Sequence, residues 1–164
     1  MLAKLADVLQ SPLDWLAAGD RSAVESDKYA AAAYIRRPIQ HVPVISTRSA
    51  ALLALDITAD PHAMAEDYIP VTAGSSKLFG IFLEDEAVNL AFPARTLVVF
   101  DYADRQPHDG DFYLASVAGT LLLRRWRYDP PRLEPASTDP TYKAIEVDRA
   151  VPIIGRVAVS IRIH

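Results

Sequence analysis

The apolar positions of the chain change period near residue 38. Upstream, Leu2, Leu5, Ala6 and Leu9 recur at helical spacing, and "SPLDWLAAGD" offers a second helix start with Ser11 as N-cap, Pro12 at the first helical position, Asp14 two residues on and Gly19 as the stop. The stretch "RSAVESDKYAAAAYIRR" is polar and then alanine-rich without a defined apolar stripe, so it reads as a linker with helical tendency. From Pro38 onward the pattern becomes that of strands: "QHVPVI", "DYIPVT", "KLFGIFLE", "TLVVFD", "DFYLASVA", "TLLLRRWRY" and "RVAVSIRIH" are short runs rich in β-branched and aromatic residues. Asp109-Gly110 and Ala118-Gly119 mark turns, and the second is expected to close a hairpin between "DFYLASV" and "TLLLRRW". In the last run Val157, Val159, Ile161 and Ile163 alternate with Ala158, Ser160, Arg162 and His164, one face for the core and one wetter. The interruption "STRSAALLALDITADPHAMAED" has the apolar density of a helix. The expected organisation is a helical tip over 1–20, a linker over 21–38 and a mainly β domain over 39–164.

Composition narrows the function classes. With 164 residues, 51% hydrophobic and 23% charged, the chain can build one good core but hardly two. A formal net charge of −4 gives no overall attraction to nucleic acid or anionic lipid, so any such binding would be local. The absence of cysteine removes disulfides, thiolate metal sites and cysteine nucleophiles together. Lys4 and Asp7 break the opening segment, which lacks the apolar length of a signal peptide or membrane span; a soluble, cytoplasmic protein is expected, with no membrane partner.

Two clusters could carry chemistry. In "IFLEDEAV" three acids, Glu84, Asp85 and Glu86, interrupt an apolar run. Neighbours on a strand point to opposite faces, so the triplet alone cannot flank a substrate as a carboxylate pair does. A metal site would want more ligands, and His41, His62, His108 and His164 have no ligand-like spacing; no metal and no cofactor is expected. "LRRWRYDPPR" interleaves Arg124, Arg125, Arg127 and Arg132 with Trp126 and Tyr128, as a phosphate platform would. Strand alternation, however, sets Arg124, Trp126 and Tyr128 on one side and Arg125 with Arg127 on the other, which splits the basic patch. No phosphate-cradling glycine loop, nucleophile elbow or zinc-protease helix is present. Ser75, Ser76 and Ser116 read as ordinary turn or surface residues.

From Val42 to about Val159 the order of segments resembles the carboxy-terminal, self-cleaving serine-peptidase domain of LexA and the phage repressors. "VPVI" is similar to that family's entry strand, "PARTLVVFD" to its Gly-Asp strand, "HDGDFYLASV" and "LLLRRW" to the two strands that follow, and "LEPASTDPTYKAIEVDRAVPIIGRV" to its ending. The resemblance implies a barrel or sandwich of short, mostly antiparallel strands with a short helical N-terminal remnant. "LAKLADVLQSPLDWLAAGD" is similar to the final helices of a lambda-repressor-like helix-turn-helix domain. The part that would carry a recognition helix does not precede it, so contact with DNA is expected only indirectly.

The same resemblance implies that the reaction has been lost. It sets Glu86 at the family's nucleophilic serine, Arg124 at its general-base lysine, and Ala50-Ala51 at its scissile Ala-Gly bond. A lysine in such a dyad works by losing its proton in a desolvated pocket; a guanidinium stays protonated and cannot. Glu86 and Arg124 are then expected to form an ion pair in a vestigial cleft, with Asp85 or Glu84 as further participants and Trp126 beside it. The implied function is that of a non-catalytic, repressor-type regulator acting through dimerisation, with "VAVSIRIH" as an edge for pairing between copies and a full-length repressor as a second conceivable partner. Two alternatives stay open: a peptidase with relocated groups, Ser75 or Ser76 with Lys77, and peptide or partner binding in the vestigial cleft.

Overall fold

The computed structural model describes residues 37–164 except Ile57, Arg149 and Ile163. The helical tip and most of the linker expected upstream lie outside the described residues. Residues 39–164 form one compact unit, built from nine strands: β1 (Ile39–Val44), β2 (Asp67–Thr72), β3 (Leu78–Phe82), β4 (Thr96–Asp101), β5 (Phe112–Val117), β6 (Thr120–Arg127), β7 (Arg132–Glu134), β8 (Ile145–Glu146) and β9 (Ile153–Arg162). They make a single sheet in the order β2-β1-β3-β4-β9-β5-β6-β7-β8. Only the β1–β3 contact, at Val44 and Gly80, is parallel. The mainly β class and the seven longer strands match the sequence pattern. The two shortest, β7 and β8, have too few residues to show a period.

Turn chemistry sets the register. Ala118 and Gly119 both hold positive φ, 50° and 80°, and close the β5–β6 hairpin with Val117 opposite Thr120; such a two-residue turn matches the right-handed twist of the strands it joins. Gly155 serves a different need. A Cβ there would lie 2.8 Å from the Asp101 carbonyl oxygen, so β9 can pass β4 at this point only without a side chain.

The apolar segment between β1 and β2 supplies one helix, α1 (Thr47–Leu55), capped by Ser46, whose hydroxyl accepts from the Ser49 N–H at 3.1 Å. Its buried face, Ala50 and Leu53, enters the main core with Phe79, Ile81, Val98, Phe100, Leu114, Leu123 and Ile154. Leu55, on the opposite side of the helix from Leu53, is 85% exposed. A second cluster gathers Tyr113, Ala115, Trp126, Leu133 and Ile153, with Val117, Ile145, Val147 and Val151 packed around it. Leu123 and Trp126 belong to different clusters because successive side chains of β6 leave on opposite faces.

One expectation needs correction. The last strand is not an edge of the sheet: β9 lies between β4 and β5. Its pairing with β5 covers only Ile153–Arg156, whereas β4 accompanies it to Arg162. Strand β5 is shorter, so Val157–Arg162 keeps one unpaired side among the described residues.

If α1 is part of the core, Leu53→Ala should cost roughly 2–4 kcal/mol in a denaturant titration, while Leu55→Ala should stay within about 0.5 kcal/mol of the parent.

Candidate functional site

The acid triplet follows β3 and leads into a 3-10 turn, Glu86–Val88. Asp85 is the cap of that turn, in extended backbone geometry, and its Oδ1 accepts from the Ala87 N–H at 3.0 Å. Capping directs the carboxylate inward, where Oδ2 meets Arg124 Nη1 at 2.6 Å. The same Nη1 donates to the Leu123 carbonyl at 2.7 Å. Side-chain exposure is 7% for Arg124 and 16% for Asp85, so the pair is largely withdrawn from water. Such a contact is charge-assisted and short, and its Coulomb attraction offsets a desolvation cost of similar size.

Glu86, placed opposite Arg124 by the sequence reading, makes no ion pair with it. As the first residue of the turn it faces solvent, and its Oε2 accepts from Asn89 Nδ2 at 3.0 Å, three residues on. Its carbonyl takes the Ser137 hydroxyl at 2.6 Å, which ties the turn to the segment after β7. Glu84 is exposed and makes no ion pair among the described residues. Among the described residues the expected participant Asp85 is thus the sole carboxylate on Arg124. An aspartate that can cap a short turn was the local signal, but it does not say where the turn docks.

Trp126 does not line a cleft. It is 1% exposed and buried in the second core cluster, edge-on to Tyr128 with ring centroids 6.0 Å apart. Ala50 and Ala51 lie in α1, where the Ala50 N–H donates to the Ser46 carbonyl at 2.9 Å and the Ala50 side chain is buried. Ala50 packs on the Leu123 side of β6. Arg124 leaves on the other side, with its cross-strand partner Tyr113. The three positions singled out by the resemblance are therefore not brought together: Arg124 meets Asp85, Glu86 points to water, and Ala50-Ala51 is folded into a helix. Ser75 and Lys77 form no side-chain dyad; the Ser75 hydroxyl accepts from the Lys77 backbone N–H at 3.1 Å, and Ser76 is exposed.

The split of the arginine run holds. Arg125, Arg127 and Arg132 converge on Glu134, at 3.4, 3.1 and 2.9 Å, and Arg127 also reaches Asp109 at 2.9 Å. Burial pushes the Glu134 carboxyl up, but hydrogen bonds from Arg127 and Arg132 and the charge of both outweigh it, so the carboxyl titrates below its ordinary value. These guanidinium groups are occupied in joining β6 to β7. Among the described residues no group of His, Cys, Asp and Glu could hold a metal ion, and no helix is long and apolar enough to cross a membrane.

Residues 43–158, most of the chain, match the model of a family described as Peptidase S24-like. No curated protein matches the chain.

Removing Asp85 should strand a buried cation. Asp85→Ala is expected to cost roughly 2–3 kcal/mol, and Glu86→Ala no more than about 0.5 kcal/mol, both read from chemical denaturation. For Glu134 the depressed folded-state value means that its contribution is complete above the unfolded carboxylate range and is lost as pH falls through the folded value. Glu134→Gln should therefore flatten the acid limb of a stability-against-pH curve.

Proposed function

Because the chain belongs to the Peptidase S24-like family, we propose that it is a repressor-type regulatory module that has lost self-cleavage and acts through self-association. The observation that carries this reading is the Arg124–Asp85 contact of 2.6 Å. Arg124 stands where the resemblance sets the general base, and a guanidinium stays protonated and cannot take a hydroxyl proton. No hydroxyl nucleophile is present at position 86 for a base to activate.

The conformation of α1 supports the same reading. A peptide bond attacked by a protease is presented extended, with its carbonyl open to the nucleophile. Here the Ala50-Ala51 bond lies inside a capped helix whose inner face is core. Drawing it into an active site would unfold α1 and expose Leu53.

For self-association the favoured surface is the unpaired side of Val157–Arg162. Among the described residues nothing pairs with its backbone groups on that side, so the same segment of a second copy can add there about a two-fold axis in an isologous strand-to-strand contact. A homodimer is the first expectation, and a mixed dimer with a complete repressor uses the same edge.

Two measurements test the reading. Incubated at alkaline pH, where a lysine base would be most active, the protein should keep a single intact mass; a break between Ala50 and Ala51 would overturn the loss of cleavage. In sedimentation velocity the parent should dimerise with rising concentration and the double variant Ala158→Lys, Ser160→Lys should remain monomeric. A parent that stays monomeric removes the association.

A further inference from the structure

The half-open side of β9 is not uniform along its length. The Lys77 carbonyl accepts from the Tyr102 N–H at 3.0 Å, so in the antiparallel β3–β4 ladder Tyr102, Phe100 and Val98 turn their backbone groups to β3, and Asp101, Val99 and Leu97 turn theirs to β9. Leu97 is opposite Ile161 and Val99 opposite Val159. These two residues of β9 therefore bond inward to β4, and Ser160 and Arg162 present their N–H and C=O groups to the open side. Beyond Val159 the register shifts. Phe100 faces Val157, which leaves Ala158 without a partner on β4 as the extra residue of a bulge. The regular part of the open edge is Val159–Arg162.

The bulge also divides the side chains. Val157 packs on the main core, whereas Val159 and Ile161 pack on a separate cluster of Val42, Val71, Ala73, Leu78 and Val99. That cluster is unfinished at β9: its other members are buried, but Val159 and Ile161 remain partly exposed. Ser160 and Arg162, on the opposite face, are exposed. In an antiparallel pairing of two copies, outward-facing residues must meet outward-facing ones. An axis through Ser160 pairs that residue with itself and sets Arg162 against the bulged Ala158. An axis through Ile161 pairs Ser160 with Arg162 in both directions, so every outward group of the regular run is bonded. It also sets Arg162 opposite a serine and not opposite a like charge.

We infer that two copies of the chain join with the two-fold axis at Ile161. This rests on the self-association proposed above and names the residues that meet in it. The Ile161 side chains of the two copies touch across a non-hydrogen-bonded pair, the position where opposed side chains come closest, and each covers the open side of the other copy's Val42–Leu78–Val99 cluster. The second core of each copy is thus completed by the other, and Ile161 is the apolar anchor of the contact.

The full chain has no cysteine, so a single introduced one reports by itself. The Cα atoms of a non-hydrogen-bonded pair lie about 4.5 Å apart, within the span of a disulfide. Under mild oxidation Ile161→Cys should give a covalent dimer about tenfold faster than Ser160→Cys or Ala158→Cys. In sedimentation Ile161→Ala should raise the dimer dissociation constant about tenfold, while Val157→Ala, whose side chain belongs to the main core, should leave it within about twofold. A dimer that Ser160→Cys links faster, or whose dissociation constant Ile161→Ala leaves unchanged, would overturn this register and leave self-association standing. A parent protein that stays monomeric overturns both.

Discussion

A guanidinium group inside a protein must be answered by an acceptor, and Arg124 is answered by Asp85. At 7% side-chain exposure the cation cannot rely on water, and the 2.6 Å contact is what lets β6 carry a charge into its middle. The consequence runs both ways along the chain. Asp85 can reach Arg124 because it caps the Glu86–Val88 turn, and the turn is held in place by the Ser137 hydroxyl on the Glu86 carbonyl and by reciprocal bonds between Asn89 and Thr138. One ion pair thus links the end of β3, the middle of β6 and the segment that follows β7.

This arrangement also fixes what the two faces of β6 can be. Leu123 goes to the core beneath α1, and Arg124 with Trp126 to the other side. The segment that the resemblance aligns with a cleavage site has become packing material: Ala50 and Leu53 fill the core that Phe79, Phe100 and Ile154 line. In the proposed reading the scaffold of a self-cleaving domain is kept for its surfaces, because the side chains that once had to meet now satisfy separate structural needs.

Those surfaces arise from unequal strand lengths. Strand β5 leaves β9 at Arg156, and β1 leaves β3 at Gly80. Each departure leaves a short run of backbone that no described strand pairs on that side. In the proposed reading Val157–Arg162, which alternates apolar and polar residues, suits a copy of itself.

Period-two apolar patterning was enough to locate the seven longer strands, and Ala118-Gly119 was enough to register β5 on β6, because alternation and positive-φ turns are local properties of the chain. The helix over Thr47–Leu55 and the parting of Arg124 from Arg125 and Arg127 were legible for the same reason. Local sequence could name the three acids but not choose among them: whether Asp85 or Glu86 faced Arg124 depended on which residue capped the turn, and that was set by how the turn docks on β6 and on Ser137. Nor could it place Trp126 in a core rather than a cleft, or show that β9 is interior with one half-open side. Those outcomes rest on which strands lie side by side and where each one stops, and only tertiary packing decides that.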